Sequence, residues 1–182
     1  MGTIPTIPSF VAGAVLTAAQ LNQINAVSDF WAAPPRCHAE HTTIVSLPNA
    51  TYTLIPLQSE TFDVVQVGDA GMHDLVVNNS RIYARTAGKY RISGQLVFAA
   101  NATGVRIATV RLNAAGLIGG GTGLLSTNQN ALSSGTTAVP LPPDTFTLAA
   151  GDYVEMFGYQ NSGAALNTDP NFARLLVELV SA

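Results

Sequence analysis

Pro34-Pro35 splits this chain into two regimes of hydrophobic pattern. Proline fixes φ and donates no N–H, so a helix that reaches this pair ends there. Before it, Leu21, Ile24, Val27 and Trp31 recur at helical spacing, with Asn22, Gln23 and Asn25 on the other face. Thr17-Ala-Ala-Gln20 has the capping-box pattern that starts such a helix. A helix of roughly three to four turns is marginal alone in water, so its apolar stripe must dock on its own domain, on sister helices or on a larger assembly. Further upstream, residues 1–12 read as extended, because Pro5 and Pro8 bias Ile4 and Ile7 away from helix. The repeated Thr-Ile-Pro suits an arm lying along another surface; the alternative is a flexible tail.

From Arg36 onward the period is that of β-structure. Short runs separated by turn residues predict strands at 51–57, 61–67, 75–77, 81–84, 90–98, 105–112, 152–159 and 172–180. Asn78-Asn79-Ser80 reads as a hairpin turn between 75–77 and 81–84. In 105–112, Val105, Ile107, Thr109 and Arg111 share one face, and Arg106, Ala108, Val110 and Leu112 the other. Neither face is purely polar, which suggests that both are covered. Residues 113–135 are rich in Gly, Ala, Ser and Asn, and Gly119–Gly123 reads as a flexible loop. Pro140, Pro142 and Pro143 confine any strand there to an edge or break it. The fold class is all-β: an antiparallel sandwich or jelly roll preceded by an extended N-terminal arm and one short helix. Its two parts are 1–35 and 36–182.

Only 10% of the 182 residues are charged, against about 25% in an ordinary globular protein. The mean hydropathy is +0.27. Such a chain hides part of its surface against copies of itself or partners. A membrane span is the rival reading, but no stretch approaches the ~20 apolar residues it needs. Eight basic residues, scattered over a chain of net charge −3, offer no phosphate-tracking stripe, so nucleic acid is not an expected partner. The single cysteine permits no intrachain disulfide. The first ten residues lack a signal peptide's basic and long apolar regions, so synthesis without Sec export is expected.

No catalytic constellation stands out, and the expectation is a non-enzymatic protein without cofactors. Cys37, His38 and His41 lie close in sequence but lack the paired Cys-x-x-Cys of a zinc finger, and no bound metal is expected. No Lys follows the Gly119–Gly123 run, as a phosphate-binding loop requires. Asp63, Asp69, Asp74, Asp152, Glu155 and Asp169 form no defensible carboxylate pair; turn formation outweighs calcium binding for Asp69 and Asp74. For Trp31, Tyr83, Tyr90, Phe98, Tyr153, Phe157, Tyr159 and Phe172, core or subunit packing is the default and a carbohydrate platform the minority reading.

Two segments carry resemblances. Gly88-Lys-Tyr-Arg-Ile-Ser-Gly-Gln-Leu-Val-Phe98, Val110–Ile118, Leu148-Ala-Ala-Gly-Asp-Tyr-Val-Glu-Met156 and Phe172–Leu179 resemble successive strands of the complement-type globular head, which is similar to the tumour necrosis factor jelly roll. No collagen-like Gly-x-y stalk precedes them. Pro8-Ser-Phe-Val-Ala-Gly-Ala-Val-Leu-Thr-Ala-Ala-Gln-Leu-Asn22, with Phe30 and Pro34-Pro35, is similar to the leading segment of many tailed-phage virion proteins. The resemblances imply a homotrimeric jelly roll with Tyr90, Leu96, Phe98, Tyr153, Phe157 and Tyr159 at the trimer interface. They imply a virion-anchoring segment that uses Ile4, Pro5, Ile7, Pro8, Phe10, Leu21, Ile24, Val27 and Trp31. The function implied is a minor tail protein at the tail tip or fibre, located in the virion, assembled in the bacterial host cytoplasm and bound to other virion proteins. Alternatives are a capsid decoration or head-fibre protein, and a host-recognition module for cell-wall carbohydrate.

Overall fold

A computed structural model describes residues 3–66 and 68–181. The elements in order are α1 (Ala18–Ala32), β1 (Arg36–Glu40), β2 (Ser46–Leu47), β3 (Thr53–Leu54), β4 (Ser59–Val64), β5 (Arg81–Tyr83), β6 (Gly88–Phe98), β7 (Val105–Leu112), β8 (Thr122–Asn130), β9 (Thr137–Leu148), β10 (Tyr153–Gln160), β11 (Leu166–Asn167) and β12 (Arg174–Ser181). One sheet has the order β4-β1-β12-β6-β9 and the other β3-β10-β7-β8, with β5 also on β10. A small pair, β11-β2, stands beside them. Every named pairing is antiparallel, and the two large sheets form a sandwich.

Alternation along each strand builds the core. Cys37 and Ala39 of β1, Tyr90, Ile92, Leu96 and Phe98 of β6, and Leu175, Val177 and Leu179 of β12 face inward from the first sheet. Ala108, Val110, Val154 and Met156 meet them from the second. Gly158 of β10 is fully enclosed, and a Cβ there would lie 2.6 Å from a Leu96 methyl and 2.9 Å from one of Leu47, so the sheets touch closely here. Arg106 breaks the pattern: it is buried on the inward side of β7, where its guanidinium donates to the Asn101, Thr103 and Val105 carbonyls.

The capping box is present. Thr17 Oγ1 accepts the Gln20 N–H at 3.2 Å, and Gln20 Oε1 accepts the Thr17 N–H at 3.0 Å. The residue that docks α1 is Phe30, 1% exposed and part of the sandwich core, whereas Leu21, Ile24 and Trp31 stay exposed and Val27 is half-buried. The junction is then pinned, since Pro35 O accepts the Leu179 N–H and Ala33 O accepts Gln66 Nε2.

Several expectations fail locally: the 51–57 strand shrinks to Thr53–Leu54, and the 78–80 turn closes no hairpin because it has no first strand. Leu75–Val77 is no strand, because the Asp74 carboxylate accepts the Val76 and Val77 N–H groups and draws the chain into a turn. Residues 122–130, expected to be irregular, form β8, an edge strand paired only with β7. The 61–67 strand is observed as Ser59–Val64, with Val67 outside the described residues. The proline-rich stretch behaves as expected: β9 is an edge strand whose register shifts opposite Ile92 and Gly94.

Candidate functional site

Four of the six residues assigned to a trimer interface are not available for one. Tyr90, Leu96 and Phe98 point into the protomer's own core, and the Tyr90 hydroxyl donates to Thr86 O at 2.7 Å. Burial pushes the Tyr90 phenol up to about 12. Phe157 faces the other way, on the outer side of the second sheet, but it is covered there beside its cross-strand neighbours Leu54 and Thr109. Tyr153 and Tyr159 share that outer side and are half-buried, each with its ring tilted against another, Tyr83 and Tyr52 respectively. Apolar strand faces serve a sandwich core first, and this corrects the interface assignment for Tyr90, Leu96, Phe98 and Phe157.

The N-terminal candidates also divide. Pro8 is buried and Ile4 packs against the core, with Pro5 half-buried, so much of their surface is already used by this protomer. Ile7, Phe10, Val11, Val15, Leu16, Leu21, Ile24 and Trp31 are exposed, Val15 at 90%. Gln20 Nε2 donates to Ser9 O and holds the arm beside the first turn of α1. No charged side chain other than Asp29 interrupts residues 3–35.

A second open surface is the outer face of the first sheet, β4-β1-β12-β6-β9. Phe62, His38, Leu176 and Ser93 form one cross-strand row. The His38 and Phe62 rings lie 5.6 Å apart, with the Arg36 guanidinium 5.5 Å from the Phe62 ring centre. All four row residues are only half-buried. Desolvation holds the His38 pKa below its ordinary value, against the opposing pull of Glu40.

The outer face of the second sheet holds a groove of about 390 Å³ lined by Tyr52, Thr109, Arg111, Ile118, Leu124, Leu125 and Ser126, with Gly123 at its edge. The 113–121 loop forms one wall. It is a bonded turn in place of the expected flexible loop. Gly116 N–H donates to Glu155 Oε2 at 2.9 Å, Ala115 N–H to the Tyr153 hydroxyl, and the Gly120 and Gly121 carbonyls accept from Arg111. Gly121 has φ +56°, and a Cβ there would lie 1.8 Å from Leu112 O, so no side chain fits. Glu155 is fully buried and also pairs with Arg81 Nε at 2.9 Å.

The remaining titratable groups serve the scaffold. Cys37, His38 and His41 do not converge: Cys37 points into the core, His38 points outward, and His41 is buried against Pro56 O and Thr168 Oγ1, both at 2.8 Å. Burial raises the Cys37 thiol far above its ordinary range and lowers His41. His73 Nδ1 lies 2.7 Å from Glu60, and its Nε2 lies 3.0 Å from Asn79 O. Among the described residues no group of three or more His, Cys, Asp or Glu side chains is arranged to hold a metal ion.

Phe30, Glu155 and Arg111 hold positions that the sequence does not signal: a core contact, a buried loop anchor and a loop clamp. Arg111 was placed on the correct face of its strand, but nothing local indicated which loop it would hold.

This arrangement defines the tumour necrosis factor-like jelly roll. The Eiger TNF structure from S. frugiperda superposes with a TM-score of 0.55 at 15% identity, covering 81% of this chain and 95% of that one. Murine APRIL superposes at 0.56 with 16% identity, covering 80% of this chain and 98% of that one. At these identities the likeness establishes the fold. No protein-family model matches the sequence, and neither does any curated protein.

Proposed function

We propose that this chain is a non-enzymatic structural protein, a homotrimer fastened by residues 1–35 to a larger particle from which the jelly roll projects. The observation that carries the reading is the distribution of exposed apolar side chains. Of sixteen large exposed hydrophobic residues among those described, eight fall between Ile7 and Trp31. A segment this apolar and this poor in charge is suited to burial against a partner. Its resemblance to the leading segments of tailed-phage virion proteins supports a virion as that particle and a minor tail position for this chain.

For the trimer contact, the outer face of the first sheet, β4-β1-β12-β6-β9, replaces the core aromatics. Its central row of Phe62, His38, Leu176 and Ser93 carries no formally charged carboxylate, lysine or arginine, and charged Arg36, Glu40, Arg91, Arg174 and Glu178 surround it, the layout of an interface centre with a charged rim.

Light scattering at several concentrations tests the assembly. The expected mass is near three times 18.9 kDa, falling to that of one chain in Leu176→Glu. The double substitution Val15→Glu and Leu16→Glu, at exposed positions, leaves the trimer intact but abolishes incorporation when particles lacking the protein are supplied with it. A dilution-stable monomer refutes the trimer, and normal incorporation of the doubly substituted chain refutes the mount.

A further inference from the structure

The groove on the outer face of the second sheet is separate from both surfaces assigned above, and one side chain in it is built for a ligand. Arg111 stands on β7 with its guanidinium clamped: Nε donates to Gly120 O at 2.8 Å and Nη2 to Gly121 O at 3.1 Å. Nη1 makes no hydrogen bond, and no carboxylate pairs with Arg111, among the described residues. Glu155, its cross-strand neighbour, has its oxygens engaged by Arg81 and the Gly116 N–H. The result is a guanidinium oriented in advance by two backbone carbonyls, with one free N–H edge and its charge unpaired. Such a group recognises a carboxylate or phosphate without losing further side-chain entropy. Gly123 borders this edge. A Cβ there would lie 3.6 Å from Nη1, so the missing side chain leaves the approach open.

The rest of the groove selects more than an anion. The Tyr52 ring, tilted against Tyr159 with centroids 4.8 Å apart, and the Ile118 and Leu124 side chains offer apolar walls. On the floor, Thr109 Oγ1 has its proton committed to Leu125 O at 2.7 Å and therefore presents lone pairs to a donor. Ser126 supplies a second hydroxyl at the rim, and its side chain makes no hydrogen bond among the described residues. An acid group, hydroxyl donors and a flat apolar face together are the chemistry of an acidic sugar. A ring of this kind also fits the groove's volume.

We infer that this groove binds an acidic saccharide of the hexuronate class, with its carboxylate on Arg111 Nη1, a hydroxyl on Thr109 Oγ1 and its ring against Tyr52. The inference does not depend on the trimer or on the mount.

The test is a titration of the full ¹⁵N-labelled chain followed by NMR, including the Arg111 Nε–H resonance. The probes are D-glucuronate, D-glucose and inorganic phosphate. Glucuronate is expected to give saturable shifts confined to residues 52, 109–111, 118 and 123–126. Glucose lacks the acid and binds about ten- to hundredfold more weakly, the factor a charged hydrogen bond contributes. Phosphate lacks the ring and is weaker as well. Gly123→Ala keeps the loop bonds of Arg111 and weakens glucuronate binding while leaving glucose binding unchanged. Arg111→Gln removes the preference for the acid; should it also loosen the 113–121 loop, Gly123→Ala still decides. No saturable response to glucuronate, equal affinity for glucose, equal affinity for phosphate, or shifts located elsewhere would each overturn the inference.

Discussion

Glu155→Gln exchanges one oxygen of a buried carboxylate for an NH2 group without changing its size. The wild-type carboxylate accepts from Arg81 Nε at 2.9 Å and from the Gly116 N–H at 2.9 Å, with Ser80 Oγ at the limit of bonding, 3.4 Å. A glutamine serves only one of the two strong donors with its oxygen and turns an NH2 toward the other. Leaving a buried N–H without an acceptor costs about 1–3 kcal/mol, and replacing a charged by a neutral hydrogen bond costs about 1 kcal/mol more. The expected loss is therefore about 2–4 kcal/mol. For a domain of this length that is a drop in Tm of roughly 4–16 °C, at about 2–4 °C per kcal/mol. Thermal and urea unfolding followed by near-UV circular dichroism measure it. Glu155→Ala, which strands Arg81 outright, is expected to cost about 3–5 kcal/mol. If Glu155→Gln loses less than about 0.5 kcal/mol, within the ordinary scatter of surface substitutions, then the carboxylate does not hold the 113–121 loop and the reasoning is wrong.

Three further outcomes follow from the packing. Because burial holds His41 below its ordinary value of 6.5, the unfolded chain takes up a proton that the native chain refuses as pH falls below 6.5. The His41 contribution to stability is thus full above pH 6.5 and declines below it, and an NMR titration should place the His41 midpoint under 6.5; a midpoint above it contradicts the burial argument. Gly158→Ala forces a methyl against Leu96 and Leu47 and should destabilise by about 1–3 kcal/mol in urea unfolding, whereas an unchanged midpoint means the sheets are less closely packed there. Phe30→Ala should strip hydrogen-exchange protection from α1 while the β6 and β12 amides keep theirs; retained α1 protection means other contacts dock the helix.

What was legible in the sequence was local. The Thr17–Gln20 box is complete within four residues, and the Pro34-Pro35 stop acts on its own neighbours. The strands at 90–98, 105–112, 152–159 and 172–180 are observed as β6, β7, β10 and β12, each with partners on both sides. Phe30 was missed because α1 carries apolar residues on more than one side, and periodicity does not say which side meets the sandwich. The misreading of Tyr90, Leu96 and Phe98 has the same origin, since a core and a subunit contact both demand apolar side chains. β8 was hidden because an edge strand in which only Leu124 and Leu125 are apolar, the rest being Gly, Ser, Thr, Asn and Gln, is held through its backbone. Leu75–Val77 looked like a strand until Asp74 took its N–H groups. The Arg111 groove depends on a loop folding back over a sheet, and no window of sequence contains that.

The course of the chain out of the N-terminal segment has a mechanical consequence. From Pro35 it enters β1 directly, and β1 lies inside its sheet, joined by five register pairs to β4 and five to β12. Tension applied at the N-terminus is therefore carried along β1 as shear on two ladders in parallel, and these must slip together before the strand comes free. A terminal strand at the rim would instead peel away one bond at a time. With the Leu179 N–H bonded to Pro35 O, load reaches the neighbouring strand before β1 itself begins. The sandwich is thus joined to its N-terminal segment through an inner strand of the sheet and not through a rim strand.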